Sequence, residues 1–284
     1  MNPSTMKPGV YAGISDNEYH GAHWALSSSG ARYMLKAPAV YLERMSRPRT
    51  SRTFDVGKAV HAKVLGVGAE VVSVPDDLLD KAGRVSTNAA KAWKAEREAE
   101  GSVVLPKSDL EPIRMMAEAV LGHQVARRLV EKPGIAEASV FAIDPETGEW
   151  VRARPDYLPD ADGGRTVLVD LKSALDASPY GFMRACGRFG YFIQDAHYLE
   201  AVTLARGDDD PAMVFVAVEK EPPYLVSVTE LGPRSIAAGR DRRREAINLW
   251  HECRVRDEWP GYPLEIVPID IPEHLMTDDE IEVA

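Results

Sequence analysis

Asp170-Leu171-Lys172 is the one acidic-x-lysine triplet in this 284-residue chain, and Asp156, in Pro155-Asp156, stands fourteen positions upstream of Asp170. The run Val167–Lys172 reads as a strand, on which successive side chains point to opposite faces. Asp170 and Lys172 then share a face, and Leu171 points into a core. With Asp156 at the end of the neighbouring strand, two carboxylates and one ammonium meet in a small space. At about 4 Å and an effective dielectric near 20, two carboxylates repel by roughly 4 kcal/mol. Such a pair calls for a proton or a divalent cation, and all-oxygen ligands suit Mg²⁺. A lysine beside the cation can orient or deprotonate a water, which is the outline of metal-assisted phosphodiester hydrolysis. A lone Asp-x-Lys is more often a solvated pair on an exposed strand, so the triplet needs companions.

Five residues are candidates. His61, in Gly57-Lys58-Ala59-Val60-His61, falls mid-helix on an apolar stretch. It reads either as a core histidine or as a metal ligand or proton carrier. Glu137 opens the strand before Asp156, either as an exposed strand carboxylate or as a further acid for a second metal or its water shell. Gln194 and Tyr198 are four apart and share a helix face, where both can hydrogen-bond phosphate or a metal-bound water. Arg154, two before Asp156, shares its strand face and can hold a phosphate with its planar fork or serve as a structural partner for an acid.

Other chemistries are poorly served. There is no Gly-x-x-x-x-Gly-Lys-Ser/Thr loop, no Gly-x-Ser-x-Gly elbow and no Cys-x-x-Cys pair. Two cysteines, Cys186 and Cys253, cannot build a disulfide framework or a four-thiolate cluster. No apolar run is long enough to span a membrane, and the first residues do not form a signal peptide, so a reducing cytoplasm is expected. The net charge of −10 is unevenly spread: residues 265–284 hold seven acids and no Lys or Arg. Basic residues gather in two places. Arg32, Lys36, Arg44, Arg47, Arg49 and Arg52 form one group, and Arg234, Arg240, Arg242, Arg243, Arg244, Arg254 and Arg256 the other. Each reads as a solvated helix face or as a phosphate-binding patch.

The positioning elements follow from periodicity and punctuation. Residues 1–24 read as an ordered arm. Ser27-Ser28-Ser29 caps a helix to Leu35, Pro38 breaks it, and a further helical stretch covers 39–46. Residues 46–53 read as a basic loop. Helices are expected over 55–66, 88–100 and 109–130, the last capped by Asp109. Strands are expected over 136–143, 150–158, 166–172, 212–219 and 224–231, with helices over 176–188, 190–206 and 233–257. The pattern predicts a single α/β domain over 1–264, its mixed sheet flanked by helices. An acidic tail over 265–284 is expected to be flexible.

The ordered set Gly57-x-x-x-His61, Glu137, Pro155-Asp156, Asp170-Leu171-Lys172 and Gln194-x-x-x-Tyr198 resembles the RecE-type, exodeoxyribonuclease VIII-like branch of the PD-(D/E)xK nucleases. That group includes lambda exonuclease and the RecB nuclease domain. Leu26-Ser27-Ser28-Ser29 through Ala37-Pro38 is similar to the group's opening helix, and the resemblance runs over about residues 9–262. It implies a restriction-endonuclease-like core and a Mg²⁺-dependent enzyme, Mn²⁺ substituting, that digests duplex DNA from 5′ ends. His61, Asp156 and Asp170 are then metal ligands, with the Leu171 carbonyl a fourth. Lys172 positions the attacking water, and Glu137, Gln194 and Tyr198 complete the site. Ser27, Ser29, Arg32 and Arg154 are candidates for gripping phosphate. The resemblance also implies a single-strand annealing (RecT-like) partner, a homo-oligomeric ring and a phage or prophage setting. Ala37 stands where some relatives carry a cluster-ligating cysteine, so no iron–sulfur cluster is expected.

Overall fold

The computed structural model describes residues 1–47 and 52–271, the side chains of 52–54 excepted. The arm expected at the N-terminus holds β1 (Gly9–Tyr11) and α1 (Asp16–Gly21), the latter opened by a Ser15/Glu18 capping box. β2 (Ala25–Ser27) leads into α2 (Ser28–Lys36), whose first turn is capped by Ser27 Oγ accepting from the Gly30 N–H at 3.1 Å. Pro38 starts α3 (Pro38–Ser46), where a missing N–H costs nothing, and α4 (Arg52–Leu65) follows. The middle of the basic loop read over 46–53 lies outside the described residues. A two-stranded patch, β3 (Val71–Val72) with β4 (Val103–Val104), brackets α5 (Asn88–Ala99).

The helix read over 109–130 is two. α6 (Lys107–Gly122) begins after Pro106 rather than at Asp109, and α7 (Gln124–Val130) restarts beyond His123. His123 makes the break local, because its Nδ1 accepts from the Ala126 N–H at 3.3 Å.

Next come β5 (Gly134–Ala136), β6 (Ser139–Ile143), β7 (Trp150–Ala153), β8 (Tyr157–Pro159) and β9 (Val167–Ala174). They are followed by α8 (Pro179–Phe189), α9 (Tyr191–Arg206), β10 (Ala212–Glu219), β11 (Val226–Glu230) and α10 (Pro233–Arg256). The strands form a five-stranded sheet in the order β11-β10-β9-β8-β5 and a four-stranded sheet in the order β1-β6-β7-β2. The larger sheet is mixed: β9 and β10 run parallel across the α8–α9 crossover, and the other pairs are antiparallel. This is the mixed sheet flanked by helices that the sequence predicts.

Two strands that the sequence presents as continuous are broken, and the breaks have one cause. The run 136–143 belongs to the larger sheet as β5 and to the smaller as β6, with Glu137 at φ +54° between them. The run 150–158 splits in the same way into β7 and β8, with Arg154-Pro155-Asp156 between. The hairpin thus passes from one sheet to the other, and Glu137 and Asp156 lie at the seam. Pro155, with no N–H to give a ladder, suits that gap.

Alternation along β9 sorts two cores. Val169 and Leu171 pack with α4 and α6 residues such as Val60, Ile113 and Met116. Leu168 packs on the other side with Tyr198, Leu199 and Phe215. α9 lies between the two sheets and is buried at nine positions, including Gln194, Asp195 and His197. His197 Nε2 lies 3.1 Å from the Arg152 carbonyl of β7, tying α9 to the smaller sheet. Among the described residues, no helix is long and apolar enough to cross a membrane. Of the acidic tail, residues 265–271 are exposed and 272–284 lie outside the described residues.

Candidate active site

The seam brings sequence-distant groups together through the backbone. The Glu137 N–H donates to the Asp156 carbonyl at 2.9 Å, fixing the two acids side by side. The left-handed backbone of Glu137 is costly for a residue with a Cβ, of order 1–2 kcal/mol. β8 and β9 pair at Tyr157 and Val169, and the Asp156 side chain then takes the next ladder position. Its Oδ2 accepts from the Leu171 N–H at 2.5 Å. Asp156 Oδ1 lies 3.3 Å from His61 Nδ1 on α4, and His61 Nε2 lies 3.0 Å from the Leu171 carbonyl. Leu171, inward-facing as its alternation requires, therefore offers both of its main-chain polar groups to the site.

On the other face of β9, Asp170 Oδ1 accepts from Gln194 Nε2 of α9 at 2.6 Å. The Lys172 ammonium contacts Asp170 Oδ2 and lies 4.9 Å from the centre of the Tyr191 ring. The shared face predicted for Asp170 and Lys172 is thus observed. Tyr198, one turn beyond Gln194, has its phenol beside Ser28 at the start of α2.

Burial dominates the electrostatics. It pushes the Glu137 carboxyl up to about 7, helped by the Asp156 charge, and the Asp170 carboxyl up to about 6 against the pull of Lys172. Burial opposes ionisation of Asp156 as well, but the His61 charge and hydrogen bond hold it below the ordinary carboxylate range. Burial alone would lower His61, yet Asp156 beside it raises the imidazole to about 9. Lys172 is raised too: burial opposes its charge, and Asp170 and Asp156 outweigh it. Burial likewise lifts the Tyr198 phenol well above its usual value, so it remains a donor.

These residues fit a divalent cation. Ligand atoms of His61, Glu137 and Asp156 lie within 4.8 Å of one another. One imidazole and two carboxylates can hold a divalent cation, and the raised Glu137 and His61 mark the proton that stands in for the cation's charge. Asp170 and the Leu171 carbonyl border this group, with Lys172 next to Asp170.

The candidates for gripping phosphate fare differently. Arg154 is buried and committed. Its guanidinium donates to Ser139 Oγ at 2.6 and 3.1 Å, Asp16 Oδ1 at 2.9 Å and the Ile14 carbonyl at 2.9 Å. It lies 4.0 Å from the centre of the Tyr19 ring. Arg154 therefore anchors the N-terminal arm; its spacing from Asp156 puts it on the acid's face only along an unbroken strand. Ser27 is spent on capping α2 and lies 3.1 Å from Ser29 Oγ. Arg32 donates to the Phe189 carbonyl at the end of α8. Residue spacing misses Ser28 and Tyr191. Ser28 is the middle of three serines whose order does not say which one faces in. Tyr191 reaches Lys172 only because Gly190, at φ +68°, turns the chain from α8 into α9.

A sequence model of the family described as PDDEXK-like domain of unknown function (DUF3799) matches residues 27–266. Among solved structures, a candidate exonuclease from Eubacterium rectale shares the fold with a TM-score of 0.58 at 12% identity, over 94% of this chain and 99% of that one. An alkaline exonuclease from Laribacter hongkongensis aligns over 70% of this chain and 95% of its own at 17% identity, with a TM-score of 0.26, too low to bear on the fold. No curated protein matches.

Proposed function

The chain belongs to the PDDEXK-like domain family, and on that premise we propose that it is a Mg²⁺-dependent deoxyribonuclease that digests duplex ends 5′ to 3′. The observation that carries this reading is the seam, where His61, Glu137 and Asp156 converge beside the Asp170–Lys172 pair. Mg²⁺ bound there supplies the charge that polarises a phosphoryl oxygen and acidifies a water. His61, Glu137 and Asp156 would hold it, with Asp170 and the Leu171 carbonyl at its border. Lys172, with its ammonium against Asp170, is placed to donate hydrogen bonds to water or phosphate. Gln194 fixes the Asp170 carboxylate, and Tyr198 offers a further donor. Duplex ends as substrate, 3′ single strands as product, and an annealing protein and ring assembly as context rest on the RecE-type resemblance of the motif order.

Linear duplex labelled at either the 5′ or the 3′ end tests the polarity. The reading predicts early release of 5′-labelled mononucleotide with Mg²⁺, late release of the 3′ label, and no cutting of closed circles. Nicked circles would make the protein an endonuclease of the same fold. Early loss of the 3′ label would reverse the polarity.

A further inference from the structure

α8 leaves an unusual face in water. Tyr180 is 67% and Met183 57% exposed, one turn apart, and Arg184 and Arg188 are exposed along the same stripe. Phe182 and Cys186 on the opposite side are buried in the core, which settles the orientation of the helix. The helix contains no Asp or Glu. The nearest preceding acid, Asp176, is turned to the helix start, where its Oδ1 accepts from the Ser178 N–H at 2.8 Å. Among the described residues, neither Arg184 nor Arg188 is in an ion pair.

This face is continuous with the candidate active site. The Lys172 ammonium lies 4.9 Å from the centre of the Tyr191 ring, whose own centre is 5.7 Å from that of Phe189. The Arg188 guanidinium lies 5.5 Å from the centre of the Phe189 ring, which is half exposed at the end of α8. Aromatic and cationic groups thus run without a gap from Lys172 to the outer stripe. A monomer gains nothing from leaving Tyr180 and Met183 in water beside two guanidinium groups that no described acid pairs. Flat apolar surface interleaved with arginine is the chemistry that holds unpaired bases and their phosphates.

We infer that the outer face of α8 is a single-strand DNA platform, with bases stacking on Tyr180 and Met183 and phosphates paired to Arg184 and Arg188. It rests on the nuclease reading of the adjoining site and names the form of DNA that site meets: a strand already unpaired. Phe189, with Arg188 against its ring, joins the platform to the site.

The test is fluorescence anisotropy of a labelled oligothymidylate with the full chain in EDTA, so that no cleavage is involved. Paired Tyr180→Ala and Met183→Ala substitutions are expected to weaken binding about tenfold, while Tyr180→Phe stays within about twofold. Paired Arg184→Ala and Arg188→Ala substitutions should flatten the plot of log affinity against log salt by roughly 0.7 for each phosphate that is no longer neutralised. Circular dichroism confirms that each variant is folded. Unchanged affinity and slope in both double variants would overturn the inference. So would weakened binding accompanied by a change in oligomeric state by light scattering, which would make the face an interface between protein chains. The two proposals fail separately. Wild-type protein that binds oligothymidylate through α8 but never cleaves DNA defeats the nuclease reading alone. Active protein whose α8 variants bind normally defeats the platform alone.

Discussion

Asp156 is tied to three site groups at once: it accepts from Leu171, pairs with His61 and sits against Glu137. Its surroundings set a pH dependence for cation binding. The folded, metal-free His61 holds its proton up to about pH 9, and Glu137 up to about pH 7. Both must lose it to serve as ligands, so binding releases protons. Apparent Mn²⁺ affinity should therefore rise about tenfold per pH unit between 7 and 9, more steeply below 7, and level off above 9. Calorimetric titrations in two buffers of different ionisation enthalpy count the released protons, and an affinity flat from pH 6 to 9 would contradict the assignment. At this scale the sequence is informative wherever spacing alone decides geometry. Strand alternation puts Asp170 with Lys172 and turns Leu171 inward, and helical spacing puts Gln194 with Tyr198. Tyr191 and Ser28 are illegible because their contacts depend on a glycine turn and on where α2 docks.

The elements that position these groups are mostly readable, and the exceptions are instructive. β10 and the helices α8 to α10 fall within a few residues of their expected places, since apolar periodicity and Gly or Pro punctuation agree there. The two seam-crossing strands look unbroken in the sequence because alternation continues through 136–143 and 150–158. Passage from one sheet to another is set by tertiary packing, and Pro155 is its single local sign. The same continuity places Arg154 in the site instead of in the arm's anchor. α9 carries its own test. Burial lowers His197 to about 3, whereas an unfolded histidine titrates near 6.5. Below pH 6.5 the unfolded chain takes up a proton that the folded chain refuses, so this group's contribution falls by about 1.4 kcal/mol per pH unit until about pH 3. Asp195 works in the opposite sense on the same helix. Its carboxyl, raised by burial to about 7, favours the folded state as pH falls from 7 toward 4. His197→Gln isolates the first effect. The stability of wild type relative to the variant, measured by urea unfolding, should decline with acid below pH 6.5. A constant difference would mean that His197 is not held neutral.

Over the whole molecule, charge is segregated: seven of the 44 acids fall in residues 265–284, while the face of α8 beside the site carries arginine and no acid. A chain ending at residue 264 should bind duplex DNA several-fold more tightly at low ionic strength, with the advantage vanishing as salt screens it. Equal affinity at all salt concentrations would show that these acids do not act on the DNA. The layered plan is legible from the order of helices, strands and helices. The division into two sheets with α9 between them is not, because an element buried on both sides shows no amphipathic period. The central claim is that the seam between the sheets holds the cation and Lys172 acts beside it. The most direct measurement compares wild type, Asp156→Asn and Lys172→Met for Mn²⁺ binding by calorimetry and for Mg²⁺-dependent nucleotide release from linear duplex. Both variants should lose at least about a hundredfold in rate. Asp156→Asn should also lose the cation, while Lys172→Met should keep it. Wild-type rates in either variant, or full Mn²⁺ binding by Asp156→Asn, would contradict the account.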